Sequence, residues 1–206
     1  MKPEVFWGVI RDNLFRGKMT QGVEDTIDTI VDTYLAQGQY NTHHLAYMLA
    51  TAYHESYHRK LNPDWDPVRE GFANSNEEAI SVVTKLYNSG RISHNYALPH
   101  TNGNSYYGRG YVQITWPENY RKMGKRLSIS LYENPDLALE RGIAAKLLVV
   151  GMIEGTYTGR KLDDYGSING SFDAYNARRI INGLDKAELI KGHYEIFNLA
   201  IASAIA

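Results

Sequence analysis

Apolar residues recur at helical spacing along most of the chain. Val23, Ile27, Ile30, Val31, Tyr34 and Leu35 fall on one face, with Asp25, Asp28 and Asp32 opposite. Thr20 supplies an N-cap for this helix and Gly38 a stop. A second helix is predicted from Asn41 or Thr42 through "HHLAYMLATAYHES", with Leu45, Met48, Leu49 and Ala52 as its apolar stripe. It must end before Pro63, because a residue preceding proline disfavours helical geometry. Further helices are predicted over 77–89, over 120–127, and in a longer apolar stretch opening near Pro135. The chain closes with two more, broken at Asn182-Gly183. There Asp185 and Glu188 have the spacing of a capping box.

One run breaks this rhythm. In "SYYGRGYVQITWPENY", Tyr111, Gln113 and Thr115 alternate with Val112, Ile114 and Trp116. Period-two alternation predicts a short strand with one polar and one apolar face, closed by Pro117. Upstream, "NPDWDPVREGFANSN" has two prolines and mixed charge, and reads as an irregular loop. No strand–helix alternation occurs, which argues against a parallel α/β sheet. The pattern predicts one mainly α domain over residues 1–206 with a small β-hairpin, long enough to bury one core.

Composition narrows the function. Basic and acidic residues balance at 22 and 23, which argues against a nucleic-acid binder driven by bulk charge. No apolar run reaches membrane-spanning length, so no membrane insertion is expected. Cysteine is absent, leaving no disulfide or thiolate metal site. The first residues, with Arg11 and Asp12 interrupting them, do not read as a secretory leader. Synthesis in the cytoplasm is the expectation. The aromatic set is Tyr-weighted, with 16 Tyr against 3 Trp and 5 Phe. Tyrosine pairs a flat apolar face with a hydroxyl, which suits the faces and rims of sugar rings.

The stretch "AYHESYH", Ala52 to His58, carries two possible chemistries. His54-Glu55-x-x-His58 matches a zinc-peptidase pattern, with Asp64 six residues on as a third ligand. Against zinc, Leu61 stands where such enzymes turn on a glycine, and Arg59 and Lys60 flank the site with positive charge. Alternatively, Glu55 at the end of an apolar helix is the proton donor of a glycosidase. A second carboxylate would then come from Asp64, Asp66 or Glu70 in the irregular loop.

The run "SYYGRGYVQITWPENY" resembles the signature of the family 19 glycoside hydrolases, a group containing chitinases and phage endolysins. "AYHES", "ARRIINGLDKAELI" and "VFWGVIRDNLFRGKMTQGVEDTID" resemble other segments of that family in the same order. The resemblance implies a lysozyme-like α-helical fold with a β-hairpin lining the substrate groove. It implies inverting hydrolysis of β-1,4 bonds in N-acetylglucosamine-containing glycans, with no cofactor and no metal. Glu55 matches the general acid, and Thr115 the hydroxyl holding the nucleophilic water. Tyr107, Arg109, Gln113, Asn119 and Asn182 match substrate-binding positions. Arg109 belongs to the same signature, though between two glycines it is more readily a loop buttress. "DPVREGF" resembles the segment of the second carboxylate and ranks Glu70 first, Asp64 second and Asp66 last. Peptidoglycan is the expected polysaccharide partner and chitin the alternative. The implied protein is a monomeric endolysin reaching the cell wall through a holin. A zinc peptidase is the distant rival.

Overall fold

A computed structural model describes residues 2–166 and 170–206. Seven α-helices form about half of it: α1 (Pro3–Asn13), α2 (Gln21–Leu35), α3 (Thr42–Ser56), α4 (Asn76–Asn88), α5 (Pro117–Leu127), α6 (Arg141–Glu154) and α7 (Ala187–Ile205). Two short strands, β1 (Val68–Arg69) and β2 (Arg109–Gly110), pair antiparallel. The mainly α fold with a small β element is as the sequence predicts. Among the described residues, no helix is long and apolar enough to cross a membrane.

The helix starts follow local chemistry. Thr20 Oγ1 accepts from Val23 N–H at 3.3 Å, and Asn41 Oδ1 accepts from His43 N–H at 3.0 Å. Such caps contribute about 1 kcal/mol each. Ser75 caps α4 in the same way, through Glu78 N–H at 3.2 Å.

Helix α3 is the structural centre. Ala46, Met48, Leu49, Ala50 and Ala52 are fully buried, so the predicted stripe widens to nearly the whole circumference. Its three alanines let neighbours approach closely: α7 packs along α3 and α1, while α2 packs on α6. The loop after α3 folds back onto the helix end. Trp65, wholly buried, donates from Nε1 to Ser56 Oγ at 2.9 Å, and Asn62 Nδ2 donates to Ser56 O at 2.8 Å. A smaller apolar cluster, Ala79, Val83, Ala97 and Tyr107, sits under α4 and the 92–107 loop.

Three local expectations are corrected. The run 111–116 is a turn with no alternating strand faces. Gly110 and Gln113 take positive φ (80° and 51°), and Arg109 and Ile114 exchange both backbone hydrogen bonds (3.2 and 3.0 Å). Tyr111, Val112 and Ile114 all turn inward as a result. Pro117 opens α5 at its first turn, where a missing N–H costs nothing. The Asp185–Glu188 capping box does not form; Lys186, at φ 59°, precedes α7 without a side-chain cap.

Arg109 ties the hairpin to the second half of the chain. Its side chain is 3% exposed and pairs through Nε with Asp136 Oδ1 at 2.8 Å. The guanidinium also donates to Ser105 O at 2.9 Å and lies 3.7 Å from the Tyr107 ring centroid. Burial raises the Asp136 carboxyl, but Arg109 and Arg69 outweigh it and hold it below its ordinary value. Arg109→Ala should therefore cost about 3 kcal/mol, near the low end for broken buried pairs because Asp136 can rehydrate. Urea unfolding at neutral pH measures this. The Asp136 contribution is present above the ordinary carboxyl pKa and is lost as pH falls through the lowered folded value.

Candidate active site

A cleft of about 440 Å³ opens between the end of α3 and the β1–β2 pair. It gathers Glu55, Glu70, Gln113, Thr115, Asn119 and Asn182 from four separate segments. Glu55 lies on the last turn of α3, 17% exposed at its side chain, and accepts a charged hydrogen bond from Arg178 Nη1 at 2.5 Å. Arg178 is nearly buried, and its Nε donates to Asp185 O at 3.1 Å, which fixes the guanidinium. The described contacts of Glu55 engage Oε1 alone, and the residue lines the cleft.

Glu70 follows β1 directly and is held at both oxygens. Tyr96 Oη donates to Oε1 at 2.5 Å, and Gly108 N–H donates to Oε2 at 2.9 Å. Glu70 N–H returns a bond to Gly108 O at 2.8 Å, so the strand register itself aims the carboxylate. Burial, then the Glu70 charge, pushes the Tyr96 hydroxyl pKa up, which keeps it a donor. Gly108 leaves the room this needs. A β-carbon there would come within 2.8 Å of Gln113 Oε1 and 3.2 Å of Glu70 Oε2.

The amide and hydroxyl groups are partly committed to the scaffold. Gln113 Nε2 donates to Val68 O (3.0 Å) and Gly110 O (2.9 Å), so this side chain braces the turn and offers the cleft its Oε1. Thr115 Oγ1 donates to Gln113 O at 3.0 Å and keeps its lone pairs free to accept. Asn119 Nδ2 donates to Thr115 O at 2.8 Å, and Asn182 Oδ1 accepts from Gly183 N–H at 2.8 Å.

Other candidates lie elsewhere. Asp64 is exposed and sits against Gly22 of α2; Asp66 is exposed and pairs with Arg141 at 2.6 Å. Neither lines the cleft. The placement of Tyr107 and Arg109 among substrate-binding positions is corrected. Both are buried, Tyr107 donates to Asn76 Oδ1, and Arg109 is the loop buttress described above, with Asp136 as its partner.

The zinc alternative also fails on geometry. Helix α3 ends at Ser56, and Tyr57 takes extended backbone angles, so His54 and His58 do not share a helical face. His58 Nδ1 instead accepts from Leu61 N–H at 3.1 Å and shapes the following turn. Among the described residues, no three His, Asp or Glu side chains converge as a metal site would require.

Sequence reasoning missed Tyr96, Arg178 and Trp116. Arg178 stands inside the quoted "ARRIING" segment, and Trp116 directly follows Thr115. Tyr96 carried no local signal, because its role depends on a fold contact 26 residues from Glu70.

The profile of the family 19 glycoside hydrolases, chitinase class I, matches residues 12–149. This chain belongs to that family. Its segments are similar to an endochitinase of Arabidopsis thaliana (51% identity over 41 residues; 20% of this chain and 14% of that one). They are also similar to an endochitinase of Carica papaya (42% over 60 residues; 26% and 25%). An inactive chitinase-like protein of Hevea brasiliensis matches as well (43% over 54 residues; 26% and 17%). The chain thus spans a quarter or less of these curated relatives. A crystal structure of a bacterial family 19 chitinase aligns with TM-score 0.45 and 18% identity, over 96% of this chain and 93% of that one.

Behind the site of this family 19 chain, His54 and His193 face each other at 6.3 Å between ring centroids. Burial, then the neighbouring His54, lowers the His193 pKa to about 4. The sign follows from linkage. As pH falls through the ordinary value of 6.5, the unfolded chain takes up a proton that the folded chain refuses. Stability should fall between pH 6.5 and about 4 and level off below. His193→Phe keeps a ring edge against Tyr53 and should flatten that slope in urea midpoints measured from pH 7 to pH 4.5.

Proposed function

We propose that the protein hydrolyses β-1,4 bonds in N-acetylglucosamine-containing glycans, with Glu55 as general acid and Glu70 as general base. The observation that carries this is the cleft itself. Two carboxylates from different segments line one opening, each fixed by partners on its far side. Glu55 has a free oxygen to bear the proton given to the leaving glycosidic oxygen. Glu70, with both oxygens already accepting, retains lone pairs for the proton of an attacking water. Thr115 Oγ1 can accept a hydrogen bond from the same water. Attack on the face opposite the leaving group inverts the anomeric centre, an outcome that requires the two carboxyls to stand roughly 6.5–9.5 Å apart.

Peptidoglycan is the substrate we propose, supported by the likeness of the N-terminal and Pro-Val-Arg-Glu segments to phage and bacterial members of the family. The second reading is chitin, supported by the endochitinases among the plant relatives. Both polymers present β-1,4 bonds between N-acetylated amino sugars, and the roles of Glu55 and Glu70 are common to them.

Glu55→Gln should lower hydrolysis about 100- to 10,000-fold, the usual contribution of a positioned acid or base, with circular dichroism unchanged. Glu70→Gln should do the same, while Asp64→Asn should retain nearly full activity. Wild-type turnover in Glu55→Gln would overturn the assignment of Glu55 as general acid. Digestion of purified peptidoglycan and of chitin, with mass spectrometry of the products, separates the two substrates. Gly108→Ala offers a further check: the added methyl group displaces Glu70 or Gln113, and a shift near 1 Å should lower hydrolysis about 100-fold.

A further inference from the structure

A separate hollow of about 320 Å³ opens at the end of α3 and shares no lining residue with the cleft. Arg16 reaches it from the loop between α1 and α2, Arg59 from the loop after α3, and His193 from α7. His54 and His58 enter from the end of α3 itself. No Asp or Glu lines it. Tyr53 and Tyr57 complete the lining as a stacked pair, with ring centroids 4.9 Å apart at 18°.

Three observations converge on this hollow. First, its charge is uncompensated. Ion pairs among the described residues engage Arg11, Arg69, Arg109, Arg126, Arg141 and Arg178, and leave out Arg16 and Arg59, both exposed. Second, the backbone holds Arg16 in place. It sits at φ 55°, in the left-handed region that residues with a β-carbon rarely use, and such a conformation persists where surrounding contacts impose it. Here Gly17 N–H donates to Arg11 O at 2.9 Å, and Tyr53 Oη donates to Leu14 O at 2.9 Å, which clamps the loop to α3. Third, the imidazoles act as donors. His58 Nδ1 accepts from Lys60 N–H and Leu61 N–H at 3.3 and 3.1 Å, so its remaining ring proton is on Nε2. Burial lowers the pKa of both His54 and His193, so the lasting positive charge is that of the two guanidiniums.

Guanidinium groups without a carboxylate partner, beside N–H donors, complement a planar oxyanion. The position matters as much as the chemistry. Glu55 lines the cleft and His54 lines the hollow, and their Cα atoms are about 3.8 Å apart along the chain. The His58 ring also lies 5.4 Å from Phe72, two residues beyond Glu70. An anionic branch on a strand in the cleft is therefore within reach of the hollow.

We propose that this hollow binds the carboxylate of a peptide branch carried by the glycan strand in the cleft, with Arg16 and Arg59 as its charged partners. The inference rests on the glycosidase reading and deepens its peptidoglycan form. Peptidoglycan sugars carry stem peptides with free carboxylates, whereas chitin offers no anion. Such a contact is remote from the bond that breaks and is made equally before and during the reaction, so it acts on KM and leaves kcat unchanged.

The test measures binding of Glu55→Gln, with and without Arg16→Gln/Arg59→Gln, to four insoluble preparations. These are whole sacculi, sacculi freed of phosphate polymers by hydrofluoric acid, the latter stripped of stem peptides by an amidase, and chitin. The double substitution should weaken binding to both peptide-bearing preparations about tenfold, the sum of two solvent-facing ion pairs, and leave the other two unchanged. Arg16→Lys/Arg59→Lys should retain most of the affinity, and 0.5 M salt should remove the difference. With Glu55 restored, the same double substitution should raise KM for peptide-bearing sacculi and leave hydrolysis of N-acetylglucosamine oligomers unchanged. Equal loss on all four preparations, no loss on any, or no binding to peptide-bearing sacculi overturns the proposal. Loss confined to sacculi that keep their phosphate polymers also overturns it, in favour of a phosphate ligand. If the wild type cleaves neither polymer, the glycosidase reading falls, and the hollow is judged on the binding comparison alone.

Discussion

Glu70 and Gly108 hold each other twice, once through backbone groups and once through the Glu70 carboxylate, and the site depends on that double bond. A two-residue strand pair has little stability of its own. Its register is imposed from outside, by Arg109 on Asp136, by Gln113 on Val68, and by the tight reversal of residues 109–114. These contacts fix where the backbone of Gly108 meets Glu70. The carboxylate has no independent freedom once the strands are paired. A glycine at this position is a spatial requirement, because the β-carbon of any other residue would occupy the space of the two side chains it aligns.

The opposite wall is built on another principle. Glu55 is carried by a helix buried on nearly every side, so its position follows from the core. Arg178 approaches from a short 3-10 segment before α7 and balances the charge of Glu55 in a largely dry setting. One wall is set by bulk packing and the other by a handful of directional hydrogen bonds. A substitution deep in α3 should therefore act through stability, whereas one in the hairpin can act on the site with the fold intact.

The division between what was legible in the sequence and what was not follows the same line. Helices α2 and α3 announce themselves through apolar period and starts at Thr20 and Asn41, whose side chains bond N–H groups only two or three residues on. The signature run placed Gln113, Thr115 and Asn119 by likeness to a family, and all three line the cleft with Glu55 and Glu70. Its shape was misread, because alternation of polar and apolar residues also fits a turn whose apolar members point inward. Positive φ at Gln113 and Trp116 is invisible in residue types that usually avoid it. The burial of Tyr107 and Arg109, the Tyr96–Glu70 bond and the Arg178–Glu55 pair join segments far apart in sequence. They arise only when the chain has closed on itself.

The loop after α3 shows why spacing along the chain was a poor guide to the second carboxylate. Asn62 and Trp65 both return to the Ser56 end of the helix, and His58 bridges to Asn62, so residues 59–61 form an exposed tip closed at its base. Residues could be added to or removed from that tip while the base, and everything beyond it, stayed in place. The spacing of Glu55 and Glu70 in space is thus held by a clasp that does not depend on the length of the tip. An insertion at residues 59–61 would then leave Glu70 facing the same cleft as Glu55, with only the residue count between them changed.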